Sequence, residues 1–82
     1  MNVERKNGWF LDRDTNTHYL PIDDDLAMAV YKTAAGDYAI TCHADSAGCG
    51  GDTEYADRLP QAKKLAEKMK NDGSFLTLAP EL

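Results

Sequence analysis

Long apolar runs are absent from this sequence, and none approaches the roughly 20 residues that span a bilayer. The N-terminal segment MNVERKNGWF also has no apolar stretch of the kind found in a signal peptide. We therefore expect a cytoplasmic protein with no membrane contact. With 82 residues, the chain is long enough for one core only, so residues 1–82 are predicted to form a single domain.

Soft metal ligands are scarce as well. The sequence has two cysteines, Cys42 and Cys49, and two histidines, His18 and His43. A zinc site needs three or four such side chains in tetrahedral geometry, and the C-x2-C spacing of zinc knuckles is missing. We expect no metal and no cofactor. We also expect free thiols, because a cytoplasmic chain is kept reduced.

Positive charge is the third scarcity, with nine Lys and Arg against 14 Asp and Glu and a net charge of −5. This balance opposes direct binding to nucleic acid, which depends on clustered cations. Residues 1–57 carry 11 acids and four bases, whereas residues 58–82 carry three acids and five bases. Such an acidic region can steer a basic partner into contact. The alternative is that the charge serves solubility alone.

An amphipathic helix is predicted over residues 57–73. Five apolar residues recur there at three- and four-residue spacing: Leu59, Ala62, Leu65, Ala66 and Met69. Asp57 is the expected N-cap, Pro60 suits the first turn, and Gly73 can close the helix in the left-handed conformation. So narrow an apolar stripe needs a flat partner, most simply a sheet.

Strand patterns fill most of the remaining sequence. Residues 8–22 read as a hairpin whose second strand ends at Pro21, and residues 27–33 as a strand, although the three preceding acids would also suit a helix. A return arm follows the turn at Gly36, with Tyr38, Ile40 and Cys42 facing the helix.

A surface loop is expected over 44–54 and a final strand over 74–78. The predicted fold is α+β, with an antiparallel sheet of four to five strands and one amphipathic helix on one face.

Catalytic motifs receive little support. A thiol nucleophile would pair Cys49 with His43, but the neighbouring Asp45, Asp52 and Glu54 would raise its pKa. Gly48, Gly50 and Gly51 lack the lysine that follows in a phosphate-binding loop. We expect no enzyme. A small cysteine- or metal-dependent enzyme is kept as an alternative.

A family resemblance lies in residues 28–66. The run GDYAI at 36–40 is followed by Asp45, the pair Gly48-Cys49, the triplet GDT at 51–53, and then a helix with Ala56 and Ala62. This pattern resembles the N-terminal domain of HicB-type antitoxins. The resemblance implies an acidic sheet-and-helix module that covers the active site of a small basic RNA-cleaving toxin.

At the level of class alone, the size and charge are similar to those of small acidic phage-encoded inhibitors such as anti-CRISPR proteins. The sequence thus favours a non-catalytic inhibitor that covers the basic surface of a nucleic-acid-acting protein. The residues expected to bind this partner are acidic: Asp23, Asp24, Asp25, Asp45, Asp52 and Glu54. A second alternative is a homodimer joined at an edge strand, for which 74–78 is the candidate.

Overall fold

Six antiparallel strands form one sheet in which every strand pairs with its neighbour in sequence. The computed structural model describes residues 3–6, 8–22, 26–44, 51 and 53–78. The elements are β1 (Val3–Lys6), β2 (Trp9–Asp12), β3 (Thr17–Pro21), β4 (Leu26–Lys32), β5 (Tyr38–Ala44), β6 (Glu54–Ala56), the helix α1 (Leu59–Asp72) and a short 3₁₀ helix (Ser74–Thr77). The predicted α+β class is confirmed, and the described sheet has six strands where four to five were expected.

The first predicted hairpin is confirmed as β2 and β3. Its turn contains Asn16 at φ 55°, a left-handed conformation that asparagine tolerates better than most residues. Pro21 is the last residue of β3 and lies opposite Ala27. It therefore stands at the end of a strand, where its missing N–H costs least.

The second hairpin joins β4 to β5. The strand interpretation of 27–33 is confirmed, because Leu26–Lys32 is β4 and pairs with β5 along its whole length. The turn places Gly36 at φ 98°, and the backbone N–H of Thr33 donates to the carbonyl of Asp37 at 2.8 Å. Glycine is favoured here because a side chain would strain that conformation.

The predicted helix is confirmed, with one correction at its start. Asp57 is not the N-cap: Arg58 takes the extended cap conformation, and its side chain makes no capping hydrogen bond. The first helical bond instead runs from the Ala62 N–H to the Arg58 carbonyl at 2.9 Å. Asp57 lies one residue too early in the chain to cap α1. Gly73 ends the helix at φ 82°, as expected.

The core lies between α1 and one face of the sheet. Ala62, Ala66 and Met69 face the strands, and the two alanines are fully buried. Ile40 and Cys42 of β5 face the helix as predicted, and Tyr38 packs against the same cluster. The other buried members are Trp9, Leu20, Met28, Val30, Ala56 and Leu78. Small residues on α1 let the helix approach the sheet closely.

Two sequence-based interpretations need correction. Residues 74–78 do not form a strand, because Ser74–Thr77 is a 3₁₀ helix. The expected loop over 44–54 is shorter, since Ala44 still belongs to β5 and Glu54 begins β6. A strand also forms at Val3–Lys6, pairing with β2, although its polar sequence gives no periodic signal.

Candidate protein-binding surface

Most of the predicted partner-binding residues lie outside the part of the chain that the structure describes. These are Asp23, Asp24, Asp25, Asp45 and Asp52. Glu54, the sixth, is described: it is the first residue of β6 and its side chain is exposed. The described strand ends that border the acidic segments can still be located.

These strand ends lie side by side. Leu26, which follows segment 23–25, is the first residue of β4 and lies directly opposite Ala44, the last residue of β5. Glu54 lies elsewhere: it is opposite Ile40, four residues before Ala44, so β6 pairs with the first part of β5. We call the part of the sheet where β4 begins and β5 ends the acidic end.

Asp72 is a further acidic residue near Glu54 that sequence reasoning missed. It lines a groove together with Glu54, Leu65, Lys68, Met69, Ser74 and Thr77. Its carboxylate accepts hydrogen bonds from the hydroxyl of Ser74 at 2.6 Å and from the Ser74 N–H at 2.9 Å. These bonds, helped by the charge of Lys68, lower the pKa of Asp72 and keep it ionised. An Asp placed two residues before a Ser at a helix end is the signal that could have revealed it.

The lysines of α1 have different neighbours. Lys68 lies in the groove with Glu54 and Asp72, so it offsets part of their negative charge. Lys63 is turned toward the β2 side, with its ammonium 5.2 Å from the centroid of the Trp9 ring. That distance is within the range of a cation–π contact. The groove that contains Glu54 and Asp72 thus also holds positive charge.

Lys63 also acts on His18. Burial against the sheet and the nearby charge of Lys63 together lower the pKa of His18 from its ordinary value. Both effects disfavour the imidazolium, the first by removing water and the second by repulsion. His18 is therefore a poor candidate for a cationic contact with a partner.

A second groove lies between β6 and the exposed side of α1. Tyr55, Ala56, Gln61, Lys64, Leu65 and Lys68 line it. Its charged side chains are lysines, in contrast to the groove that contains Glu54 and Asp72. Tyr55 is 58% exposed, a large value for an aromatic residue of a strand.

The cysteine expectation is corrected at Cys42. This residue is bonded in a disulfide, so its thiol is not free. Cys49 is the one other cysteine of the sequence, six residues intervene, and it lies outside the described residues. The expectation of free thiols rested on an assumed reducing compartment. A sulfur held in a disulfide is not available as a thiolate nucleophile.

Metal ligands do not gather in the described part of the chain. There, no three side chains of the His, Cys, Asp and Glu types come together in a way that could hold an ion. None of the helices within those residues has both the length and the hydropathy needed to cross a bilayer. The side chain of His43 and all of Cys49 are outside the described residues.

Comparisons with family models, with curated proteins and with solved structures find no match to this chain. The resemblance to HicB-type antitoxins therefore stays a prediction from the sequence motifs.

Proposed function

We propose that this chain is a small acidic binding module that docks on the basic surface of a nucleic-acid-acting protein and blocks it. Inhibition would come from occupancy of that surface, without catalysis and without a cofactor. The antitoxin-like role and the anti-CRISPR-like role of a phage or another mobile element are two versions of this same proposal. In both, the partner is a basic protein and the chain binds neither nucleic acid nor membrane directly.

The observation that supports this proposal is the pairing of Leu26 with Ala44. In the sequence, three aspartates at 23–25 directly precede Leu26, and Asp45 directly follows Ala44. Glu54 is exposed on β6 and shares a groove with the ionised Asp72. An acidic surface raises the rate at which a basic partner is captured.

The enzyme alternative has less support. It required Cys49 with His43, or a metal, and the disulfide at Cys42 leaves at most one free thiol for such chemistry. The measurement that would revive it is loss of a defined activity on Cys49→Ala. The homodimer alternative loses its candidate strand, because 74–78 begins with a 3₁₀ helix. A dimer would have to use β1 or β6, and sedimentation at micromolar concentration tests for it.

A cytoplasmic location stays a prediction from the sequence. The disulfide of Cys42 weighs against it, because disulfides persist in oxidising compartments and are rare in the cytosol. The test is to quench host cells with acid, purify the protein and label its free thiols. The labelling decides between the cytoplasm and an oxidising compartment. A labelled pair of thiols supports the cytoplasm, and an unlabelled pair supports an oxidising compartment.

The test of function is a pull-down from host lysate at low and at moderate salt, followed by an inhibition assay of the captured protein. Glu54→Lys and Asp57→Lys form a matched pair, since both side chains are exposed and they flank the two ends of β6. We expect Glu54→Lys to weaken capture and inhibition and Asp57→Lys to leave both nearly unchanged. Equal effects of the two variants, or capture of an acidic protein only, would refute the proposal.

A further inference from the structure

The groove between β6 and α1 has the dimensions of a binding site. Its volume is about 520 Å³, which lies within the range of ligand pockets in proteins. One wall is the strand, at Tyr55 and Ala56, and the other is the helix, at Gln61, Lys64, Leu65 and Lys68. A groove bounded by a strand and a helix admits an extended chain more readily than a compact one.

The strand wall is also the edge of the sheet. β6 is the last strand in the order of the described sheet, and β5 is the strand with which it pairs. The order of strands in the described sheet ends there. An edge of this kind presents backbone N–H and C=O groups with which an added strand can form hydrogen bonds.

The side chains select the chemistry of such a strand. Ala56 lies opposite Tyr38 in the β5–β6 ladder, and its side chain is on the helix side of the sheet. Because alanine is small, the groove has space between Ala56 and Leu65 for an aliphatic side chain of the occupant. Lys64 and Lys68 are exposed and lie one helical turn apart along the same groove. Two ammonium groups so placed favour carboxylates in the occupant.

We propose that this groove binds an extended acidic peptide segment of a partner protein, which adds to β6 as a further antiparallel or parallel strand. An aliphatic side chain of the peptide would lie between Ala56 and Leu65, with a neighbouring carboxylate near Lys64. The site differs from the acidic end in the sign of its charge, and its occupant differs accordingly. The proposal does not depend on the proposed inhibitory function.

Selection from a phage-displayed library of random peptides of about eight residues, a typical strand length, tests the proposal on the intact chain. We expect enrichment of sequences that alternate aliphatic residues with Asp or Glu. In ¹⁵N spectra of the protein, a selected peptide should shift the amides of β6 and of α1 around Lys64 and Leu65. These shifts would locate the peptide in the groove.

Lys64→Glu is the discriminating variant, because Lys64 lines this groove and does not line the one that contains Asp72. We expect it to weaken the selected peptide about tenfold, the size of a lost rim contact plus a new repulsion. Lys70→Glu, exposed and outside the groove lining, is the matched control and should bind as the wild type does. Neither change should alter capture through the acidic end.

Several results would overturn the proposal. One is a peptide selection that does not enrich sequences alternating aliphatic and acidic residues. Another is a set of amide shifts confined to the sheet face opposite α1. A third is equal affinity of Lys64→Glu and of the wild type for the selected peptide. A fourth is a set of β6 shifts that depends on protein concentration without any peptide, because a second copy of the chain would then occupy the edge.

Discussion

Leu26 lies opposite Ala44 in the ladder between β4 and β5. In the sequence, the three aspartates at 23–25 directly precede Leu26, and Asp45 directly follows Ala44. The segments are 20 residues apart along the chain and have no pattern in common. The pairing of Leu26 with Ala44 is a property of the antiparallel register.

The positive charge of Lys63 near His18 predicts a pKa change in a variant that removes it. Replacing Lys63 with Gln removes the repulsive charge but leaves the burial of the imidazole, so the pKa of His18 should rise while staying below its ordinary value of 6.5. A pH titration of the His18 ring signals by NMR measures it. Lys64→Gln, on the exposed side of α1, is the control and should leave the His18 titration unchanged. An unchanged pKa in Lys63→Gln would contradict the electrostatic effect of Lys63.

His18 also makes stability depend on pH. Its folded pKa is lowered, so the unfolded chain takes up a proton first as the pH falls. The contribution of His18 to the free energy of unfolding is therefore complete above about pH 6.5 and declines from there down to the folded pKa. Urea titrations across this window should show a smaller decline in His18→Gln than in wild type. A steeper decline in the variant would show that the sign is wrong.

The disulfide at Cys42 predicts both a labelling pattern and a stability change. Recombinant oxidised protein, unfolded in denaturant, should take up no iodoacetamide, and after reduction it should take up two equivalents. Reduction should lower the free energy of unfolding by about 2 to 4 kcal/mol, because the unfolded chain regains freedom. The double variant Cys42→Ala/Cys49→Ala should be insensitive to reductant. Labelling of both cysteines before reduction would rule the disulfide out.

Because α1 lies close to the sheet, we expect that larger side chains do not fit at its buried alanine positions. Ala66 is fully buried, so Ala66→Leu must displace either the helix or the strands and should cost about 1 to 3 kcal/mol in unfolding free energy. Glu67→Leu adds an apolar side chain one position further, at an exposed site, and serves as the control. Urea denaturation of the two variants measures the difference. Equal stability would mean that space exists beside Ala66.

Hydrophobic periodicity in the sequence predicted those helices and strands that are long enough to show a repeating pattern. The apolar stripe of α1 and the alternation in β4 and β5 each extend over several residues, and all three elements form where they were expected. The pairing of distant strand ends could not be predicted in this way. Only the register of the strands shows that Leu26 and Ala44 are neighbours.

Short segments were read wrongly because too few residues define a period. In 74–78, Phe75 and Leu78 pack into the core while Leu76 is 61% exposed, so the buried residues are spaced by three, as in a 3₁₀ helix, and not by two. β6 has three residues and a polar start, so it gives no periodic signal. Its position depends on pairing with β5, a tertiary contact that no local pattern contains.

The most direct test of the central claim is the association rate of the captured basic partner, measured at ~20 mM and at ~150 mM salt. The wild type is compared with the combined variant Asp23→Lys/Asp24→Lys/Asp25→Lys and with Asp57→Lys as control. If the acidic end steers the partner, the combined variant should associate at least about tenfold more slowly at low salt and lose most of its salt dependence. Association as fast as wild type at low salt would contradict the account.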